Sequence, residues 1–263
     1  MQVDFAVIGG TGVYNPKMLS NLKEVSLETS YGTVGIKIGK LDGKDVAFLA
    51  RHGAKHSVPP HKINYRANIM ALKKMGVKKV IATAAVGSLN EEMAPGQLVL
   101  IDQFIDFTKG RIQTFYEGEE KGVLHVDMTA PYCSQLRKVI LESCFPDIKL
   151  HSKGTYVCTE GPRFETPAEI KMFKMWGGDL VGMTSVPEVV LARELGMCYA
   201  TIAMVTNYAA GISPNPLTHQ EVVETMAQNT QNLQKIIMKT LENLDTKQQC
   251  LCPAANGEAG NFA

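Results

Sequence analysis

The sequence has little of several features that mark other classes of protein. Among 263 residues, 27 basic and 26 acidic side chains nearly cancel, and the net charge is +1. Without an excess of charge, a nucleic-acid backbone or an anionic membrane surface is not a favoured partner, and a small molecule is. No apolar run approaches the roughly 18 residues that a membrane-spanning helix needs. A basic stretch followed by an apolar signal core is also missing near Met1, which predicts a cytoplasmic protein.

The six cysteines show no C-x2-C pairing; they stand at positions 133, 144, 158, 198, 250 and 252. Such pairs are typical of zinc sites, and regular cysteine frameworks are typical of secreted domains. Free thiols and no bound metal are therefore expected. The closely spaced Cys250 and Cys252 leave open a strained or regulatory disulfide.

Short apolar segments alternate with segments of helical period along the chain. The predicted strands are 5–8, 46–50, 79–83, 97–101, 153–158, 179–181 and 199–205, and the predicted helices are 64–75, 132–143, 166–176, 186–195 and 218–244. This alternation predicts an α/β fold with three α/β/α layers around a central mixed sheet. We expect one catalytic domain over residues 1–245 and a disordered polar tail over 246–263. Loops just after strands are the candidate ligand sites of such a sheet.

Two of these loops are suited to bind an anion. In GGTG at 9–12, backbone amides and the Thr11 hydroxyl can approach a phosphate, although a tight turn would explain the same glycines. The segment is not the G-x-G-x-x-G dinucleotide motif. In ARHG at 50–53, Arg51 can hold two phosphate oxygens and His52 can donate a further hydrogen bond. A basic pair on the surface is the alternative.

A third loop follows a run of small residues from Thr83 to Ser88. Small side chains there, such as Ala84 and Ala85, let a ligand contact the main chain closely. Tight packing against a helix would select the same residues.

Two helix starts lie next to residues that helix capping does not explain. TPAE at 166–169 and SVPE at 185–188 are both predicted capping boxes. Capping leaves Phe164 and Glu165 unexplained before the first helix, and Met183 and Thr184 before the second. Thr184 would then lie beside a helix N-terminus, which is a natural anion site.

The last candidate loop begins at Asn207-Tyr208-Ala209, after the final predicted strand. It leads to Thr218-His219-Gln220-Glu221, another possible capping box. His219 would lie in the first helical turn, where the helix dipole keeps the imidazole neutral. A neutral ring can hydrogen-bond a sugar hydroxyl, although a histidine at this place can also be incidental.

Taken together, the motifs resemble the family of trimeric purine nucleoside and methylthioadenosine phosphorylases. The resemblance covers residues 3 to about 243 and rests on six motifs in matching order: GGTG at 9–12, ARHG at 50–53, NYRANI at 64–69, EGPRFETPAE at 160–169, GMTSVPEVVLARE at 182–194 and VTN at 205–207. It implies that inorganic phosphate, as co-substrate and without another cofactor, cleaves a purine nucleoside to free purine and ribose 1-phosphate in purine salvage. It also implies a homotrimer or a dimer of trimers.

The resemblance further implies which residues form the site. The phosphate ligands would be Thr11, Arg51, His52, the backbone at Ala84 and Ala85, and Thr184. Relatives have Thr or Ser where this chain has Ala84, so a hydroxyl contact is missing here. The nucleoside would contact Phe164, Met183, Asn207, Tyr208 and Ala209. His125 resembles a residue that some relatives present to the neighbouring subunit's site.

Within that family, the residues of this chain favour a 6-oxopurine. Methylthioadenosine phosphorylases typically carry Asp-x-Asp at 207–209, where this chain has Asn207 and Ala209, and Ser at the position of Glu165. Ionised Glu165 can accept a hydrogen bond from purine N1–H, while Asn207 donates to O6 and accepts from N7–H. Adenine would place the acceptor N1 against the carboxylate, which is a costly mismatch. His219 resembles the residue that reaches the ribose 5′-hydroxyl in nucleoside-specific members.

The expected catalytic residues are Glu165 and Asn207, which would stabilise the departing purine, and His52, which would help to position phosphate. A methylthioinosine or methylthioadenosine phosphorylase is the nearest alternative. A dinucleotide-binding oxidoreductase would account for GGTG at 9–12 but for none of the other motifs. A catalytically inactive nucleoside-binding protein is a third alternative, because Ala84 weakens the phosphate site.

Overall fold

The computed structural model describes residues 2–9, 13, 19–53, 57–213, 219–246 and 250–255. In the helix that begins at His219, the side chains are described from residue 229 onward. These residues form eleven strands: β1 (Phe5–Gly9), β2 (Ser20–Thr29), β3 (Gly32–Leu41), β4 (Lys44–Ala50), β5 (Lys79–Ser88), β6 (Leu98–Leu100), β7 (Gln103–Phe107), β8 (Leu150–His151), β9 (Thr155–Thr159), β10 (Leu180–Gly182) and β11 (Cys198–Tyr208). The α-helices are α1 (Tyr65–Lys74), α2 (Ser134–Glu142), α3 (Pro167–Met175), α4 (Ser185–Glu194) and α5 (His219–Asn243).

The strands form one mixed sheet that divides at β5. The main path runs β2-β3-β4-β1-β5-β10-β9-β7, and β11 pairs with both β5 and β6. β1 is parallel to β4 and β5, and β5 is parallel to β11 along its whole length. At its carboxyl end, β5 also pairs with β10, and this pairing is antiparallel, with Gly87 opposite Val181. The carboxyl ends of β1, β4, β5 and β11 therefore lie at one edge. Because β10 is antiparallel to β5, its carboxyl end at Gly182 points back toward the middle of β5.

Alternate side chains of β1 enter two different cores. Ala6 and Ile8 pack in a core that includes residues of α1 and α4, whereas Phe5 and Val7 pack in a core that includes residues of α2 and α5. Since successive strand side chains point to opposite faces, helices cover both faces of the sheet. The predicted three-layer α/β/α architecture is confirmed. Within the described residues, no helix is long and apolar enough to cross a membrane.

The sequence prediction lacks four strands, β2, β3, β7 and β8. β2 is an edge strand whose side chains are mostly exposed, so its sequence is polar and gives no apolar run. β3 buries Val34, Ile36 and Ile38 in alternation against the first core. β5 also continues to Ser88, beyond its predicted end at Thr83. The five predicted helices are confirmed, with bounds that differ by one or two residues.

One of the two predicted capping boxes before the site is confirmed and the other is wrong. Thr166 Oγ1 accepts from the Glu169 amide at 3.2 Å, and the Glu169 carboxylate accepts from the Thr166 amide at 2.7 Å. At the start of α4, Val186 is extended, with φ −108° and ψ 130°, so Ser185 cannot cap a regular first turn. The Ser185 hydroxyl instead contacts the Tyr132 hydroxyl at 2.6 Å.

The described part of the C-terminal segment packs against the domain. Cys252 is buried in the core that contains α2 and α5. Residues 247–249 and 256–263 lie outside the described residues. The division into a domain at 1–245 and a disordered tail at 246–263 stays a prediction.

Candidate active site

Backbone and side-chain hydrogen bonds of Arg51 join the ends of β1 and β4 to the middle of β5. Arg51 follows β4, and its amide donates to the Gly9 carbonyl at the end of β1 over 3.1 Å. Its guanidinium Nη1 donates to the Thr83 carbonyl on β5 over 2.8 Å. Arg51 is therefore held at the edge where the anion-binding loops were expected. Thr11 and the rest of residues 10–12 lie outside the described residues.

The guanidinium of Arg51 forms a buried ion pair with Glu188 of α4. Its Nε and Nη2 each lie 2.7 Å from a Glu188 carboxylate oxygen, and Tyr199 donates its hydroxyl to the same carboxylate at 2.7 Å. Burial by itself lowers the pKa of Arg51, but Glu188 raises it well above its usual value, so the group stays cationic. The two guanidinium nitrogens that were expected to hold phosphate oxygens thus bind Glu188. Phosphate binding by Arg51 stays a prediction.

His52 is held by the loop that follows it. Its Nδ1 lies 2.8 Å from the Val58 carbonyl oxygen. Because a carbonyl oxygen only accepts, Nδ1 must carry the hydrogen. The Nε2 atom then acts as an acceptor when the ring is neutral and as a donor only when the ring is charged. Donation from His52 to phosphate would therefore require the imidazolium form.

The middle of β5 is accessible at this edge. Ala85 is exposed although Ala84 and Val86 beside it are buried. Ala84 and Ala85 pair with Ala203 and Met204 of β11, so they lie in the centre of the sheet. An exposed methyl group at that place leaves room for a ligand over the backbone of β5.

Thr184 follows the carboxyl end of β10, which points toward the middle of β5, and it directly precedes α4. It is buried, and its backbone amide donates to the Tyr156 hydroxyl at 3.1 Å. The Thr184 amide therefore already has a hydrogen-bond partner, and the Thr184 hydroxyl is the group that would contact an anion. The irregular first turn of α4 means that a regular helix N-terminus does not begin at Thr184.

Asn207 is oriented by the residues on either side of it. The register of β11 against β5 shifts between Val205 and Asn207, which indicates a bulge that re-aims the side chain. Thr206 Oγ1 donates to Asn207 Oδ1 at 2.7 Å, and Asn207 Nδ2 donates to the Tyr208 carbonyl at 2.8 Å. An amide has one further donor and one further acceptor position, so both faces of Asn207 keep a site for a ligand.

Glu165 is placed by the loop before α3. Thr159 Oγ1 at the end of β9 donates to Glu165 Oε1 at 2.6 Å, and the same hydroxyl lies 3.3 Å from the Gly182 carbonyl of β10. Glu165 is half-buried, and desolvation raises its pKa above the usual glutamate value, while the bond from Thr159 opposes that rise. The neighbouring Phe164 is exposed.

The remaining nucleoside candidates lie on adjoining strand ends. Met183 follows β10 and packs on Gly161, where a side chain would come within 2.5 Å of the methionine sulfur. Tyr208 is half-buried, and Ala209 is buried with its amide donating to the Ser88 carbonyl at 2.8 Å. Met183 thus follows the residue whose carbonyl, that of Gly182, lies 3.3 Å from the Thr159 hydroxyl that holds Glu165. Ala209 lies two residues after Asn207.

The positions of His125 and His219 do not test the roles that the sequence predicts for them. His125 is exposed, and its part in a neighbouring subunit's site stays a prediction. His219 begins α5, but its side chain lies outside the described residues.

Arg111 is a residue of this region that the sequence analysis missed. Its side chain is 2% exposed, and its Nη1 donates to the carbonyls of Met183 at 2.7 Å and Val186 at 2.6 Å. Its Nη2 donates to the carbonyls of Thr159 at 3.1 Å and Glu160 at 2.7 Å. One guanidinium thus ties the loop after β9 to the loop after β10. Nothing in the local sequence around Arg111 signals these distant contacts.

Comparisons with known proteins agree with this arrangement. The family model described as the Phosphorylase superfamily matches residues 4–242. A protein of Dictyoglomus turgidum named "Probable 6-oxopurine nucleoside phosphorylase" is 56% identical, over 95% of each chain. The "6-oxopurine nucleoside phosphorylase" of Pyrococcus furiosus is 52% identical, over 95% of this chain and 96% of that protein.

A solved structure matches the fold over the same span. The crystal structure of a methylthioadenosine phosphorylase from an antarctic soil metagenomic library superimposes with a TM-score of 0.89. It is 37% identical, and the match covers 97% of this chain and 91% of that chain. The matched span, the shared fold and the motifs at the strand ends lead to one conclusion: this chain belongs to the phosphorylase superfamily.

Proposed function

We propose that this chain is a purine nucleoside phosphorylase that cleaves 6-oxopurine nucleosides, inosine and guanosine, with inorganic phosphate. The products are free purine and ribose 1-phosphate. The observation that carries the proposal is the orientation of Asn207, whose Oδ1 accepts from Thr206 and whose Nδ2 donates to the Tyr208 carbonyl. The remaining amide N–H can donate to purine O6, and the remaining lone pair can accept from N7–H.

The second support is the carboxylate of Glu165. A 6-oxopurine presents N1–H as a donor, and an ionised carboxylate accepts it in a charge-assisted hydrogen bond. As the glycosidic bond lengthens, the departing purine gains negative charge. Asn207, by favouring N7–H, and Glu165, by holding N1–H, would stabilise that leaving group. Adenine, whose N1 is an acceptor, would leave the carboxylate without a donor.

Phosphate would bind over the exposed part of β5. The cationic Arg51, the Thr184 hydroxyl, the backbone at Ala84 and Ala85, and an imidazolium form of His52 would surround it there, together with Thr11. The phosphate anion would lie beneath the anomeric carbon, close to the positive charge that develops on the sugar. Met183 and Phe164 would contact the ribose and the base.

The names of the relatives support the 6-oxopurine assignment. The proteins of Dictyoglomus turgidum and Pyrococcus furiosus at 56% and 52% identity are both named for 6-oxopurine nucleosides. Methylthioadenosine or methylthioinosine phosphorolysis is the second candidate, because the solved neighbour at 37% identity is a methylthioadenosine phosphorylase. Glu165, Asn207 and Ala209 favour the first, and His219 would contact the 5′-hydroxyl.

We also propose an oligomeric state and a cellular compartment for the protein. A homotrimer or a dimer of trimers would bring His125 to a neighbouring subunit's site, and the protein would be cytoplasmic. Inorganic phosphate would be the co-substrate, and the proposed reaction would use no metal or organic cofactor at the purine site.

A side-by-side assay tests the function. Phosphate-dependent release of purine would be measured with inosine, guanosine, adenosine, methylthioinosine and methylthioadenosine on one enzyme preparation. We expect inosine and guanosine to give the highest kcat/KM. A preference for methylthioadenosine would contradict the assigned roles of Glu165 and Asn207, and binding without cleavage would contradict the phosphorylase itself.

A further inference from the structure

Four cysteines that are distant in the sequence converge away from the purine site. Cys133 directly precedes α2, Cys198 begins β11, and Cys250 and Cys252 lie in the C-terminal segment. Their four Sγ atoms all lie within 4.8 Å of one another. The Sγ atoms of Cys198 and Cys250 are 2.9 Å apart. All four are present as thiols.

The cluster is shielded from solvent. Cys133, Cys198 and Cys252 are 3%, 5% and 5% exposed, and Cys250 is half-buried. The first three pack in the apolar core that contains α2 and α5. Four soft sulfur ligands around one point, with little access for water, are the donor set that selects Zn²⁺ among common divalent ions.

The surroundings of the cluster favour negative charge. Cys133 Sγ accepts from the Leu136 amide at 3.4 Å, at the positive end of the nine-residue helix α2. A surface pocket has both Cys198 and Cys250 in its wall, and Lys73, Lys78 and Lys79 line the same pocket. These cations would offset the charge of a thiolate cluster, and the pocket offers an ion a path to the sulfurs.

We propose that Cys133, Cys198, Cys250 and Cys252 bind one Zn²⁺ ion in a tetrahedral site. Four thiols would release four protons and the ion would bind the four thiolates, leaving a site with two net negative charges. A tetrahedron with Zn–S bonds of about 2.3 Å has S···S edges of about 3.8 Å, which lies within the 4.8 Å span of the cluster. Binding of the ion would therefore move the Cys198 and Cys250 sulfurs apart from their separation of 2.9 Å. The ion fastens the C-terminal segment to the starts of α2 and β11.

The sequence pattern does not reveal this site. Zinc ligands in one segment are usually separated by two to four residues, whereas Cys250 and Cys252 are separated by Leu251 alone. The other two ligands come from separate elements, so no local motif contains them. The proposal departs from the expectation of no metal that the cysteine spacing gave, and it is independent of the purine site.

Metal analysis of the whole chain tests the proposal. The protein would be purified under reducing conditions without a metal-chelating column, and its metals measured by mass spectrometry. We expect about one zinc per chain. Replacement of zinc by Co²⁺ should give the intense visible bands of a tetrahedral cobalt thiolate. Cys250→Ser and Cys252→Ser should each lose the zinc, and they lie in a terminal segment, so folding is at less risk than with Cys133→Ser.

Cys144→Ser is the matched control, because Cys144 is outside the cluster. It should keep a full complement of zinc. The proposal is overturned by zinc-free protein that takes up neither Zn²⁺ nor Co²⁺, by iron in place of zinc, or by unchanged zinc in Cys250→Ser. It is also overturned if intact mass shows two hydrogens missing for each pair of cluster cysteines, which indicates disulfides.

Discussion

The Arg51 guanidinium donates two hydrogen bonds to the Glu188 carboxylate, each 2.7 Å long. The two side chains are 3% and 0% exposed. Removing either partner would leave an uncompensated charge in the interior, which is far more costly than losing the pair as a whole. The pair also fixes where the positive charge of Arg51 lies relative to β5. It is therefore a determinant of both stability and site geometry.

Replacing Glu188 with Ala should lower the free energy of unfolding by about 3–5 kcal/mol, because Arg51 would then be buried without its partner. Urea unfolding at one fixed protein concentration measures the change. The exposed Glu142 of α2 offers a control, and Glu142→Ala should have little effect, since its pair with Lys138 is exposed. Equal losses in the two variants would contradict the role given to the buried pair.

Thr206→Val should weaken catalysis by loosening the amide of Asn207. The variant removes a hydrogen bond of about 0.5–1.5 kcal/mol, so kcat/KM for inosine should fall by roughly 2- to 13-fold. Thr240→Val is the matched control, because Thr240 is also buried but donates to Ile236 within α5. A kcat/KM that stays at the wild-type value in Thr206→Val would show that this bond does not position Asn207 for the reaction.

Exchanging Asn207 and Ala209 together for Asp should change which purine is preferred. A carboxylate at 207 offers acceptors only, so it suits a 6-amino group better than O6. We expect the ratio of kcat/KM for adenosine over inosine to rise in Asn207→Asp with Ala209→Asp. An unchanged ranking of substrates would count against the specificity argument.

The acid limb of the pH profile should respond to Thr159. Desolvation raises the pKa of Glu165 and the hydrogen bond from Thr159 lowers it. Because the ionised carboxylate accepts from N1–H, kcat/KM for inosine should decline as the pH falls through this raised pKa. Thr159→Val removes the lowering contribution and should move the decline to higher pH. A decline that stays in place would mean that another group controls it.

Much of the fold could be predicted from local patterns, and most of the site's internal contacts could not. The apolar strands and the helical periods predicted three layers, because burial on one face leaves a period in the sequence. β2 was not predicted because most of its side chains are exposed and polar, and only its second half alternates between exposed and half-buried residues. The position of Glu165 beside a helix start followed from the Thr166 capping box.

Contacts between distant segments leave no comparable trace. The pattern around Glu188 reads as a capping box, yet its carboxylate binds Arg51 from another strand end. Arg111 stands in an irregular segment whose sequence does not show that it donates to two separate loops. The cysteine cluster depends in the same way on how β11 and the C-terminal segment meet, which spacing in the sequence does not encode.

β11 begins at Cys198 and carries Asn207 near its other end. At about 3.3 Å per residue, Cys198 and Asn207 are separated along this strand by roughly 30 Å. The cysteine cluster that would hold the C-terminal segment and the residue that would bind the purine thus lie at opposite ends of one strand. Substitutions that tune how firmly the terminus is held can accumulate in such a protein without altering which nucleoside it accepts.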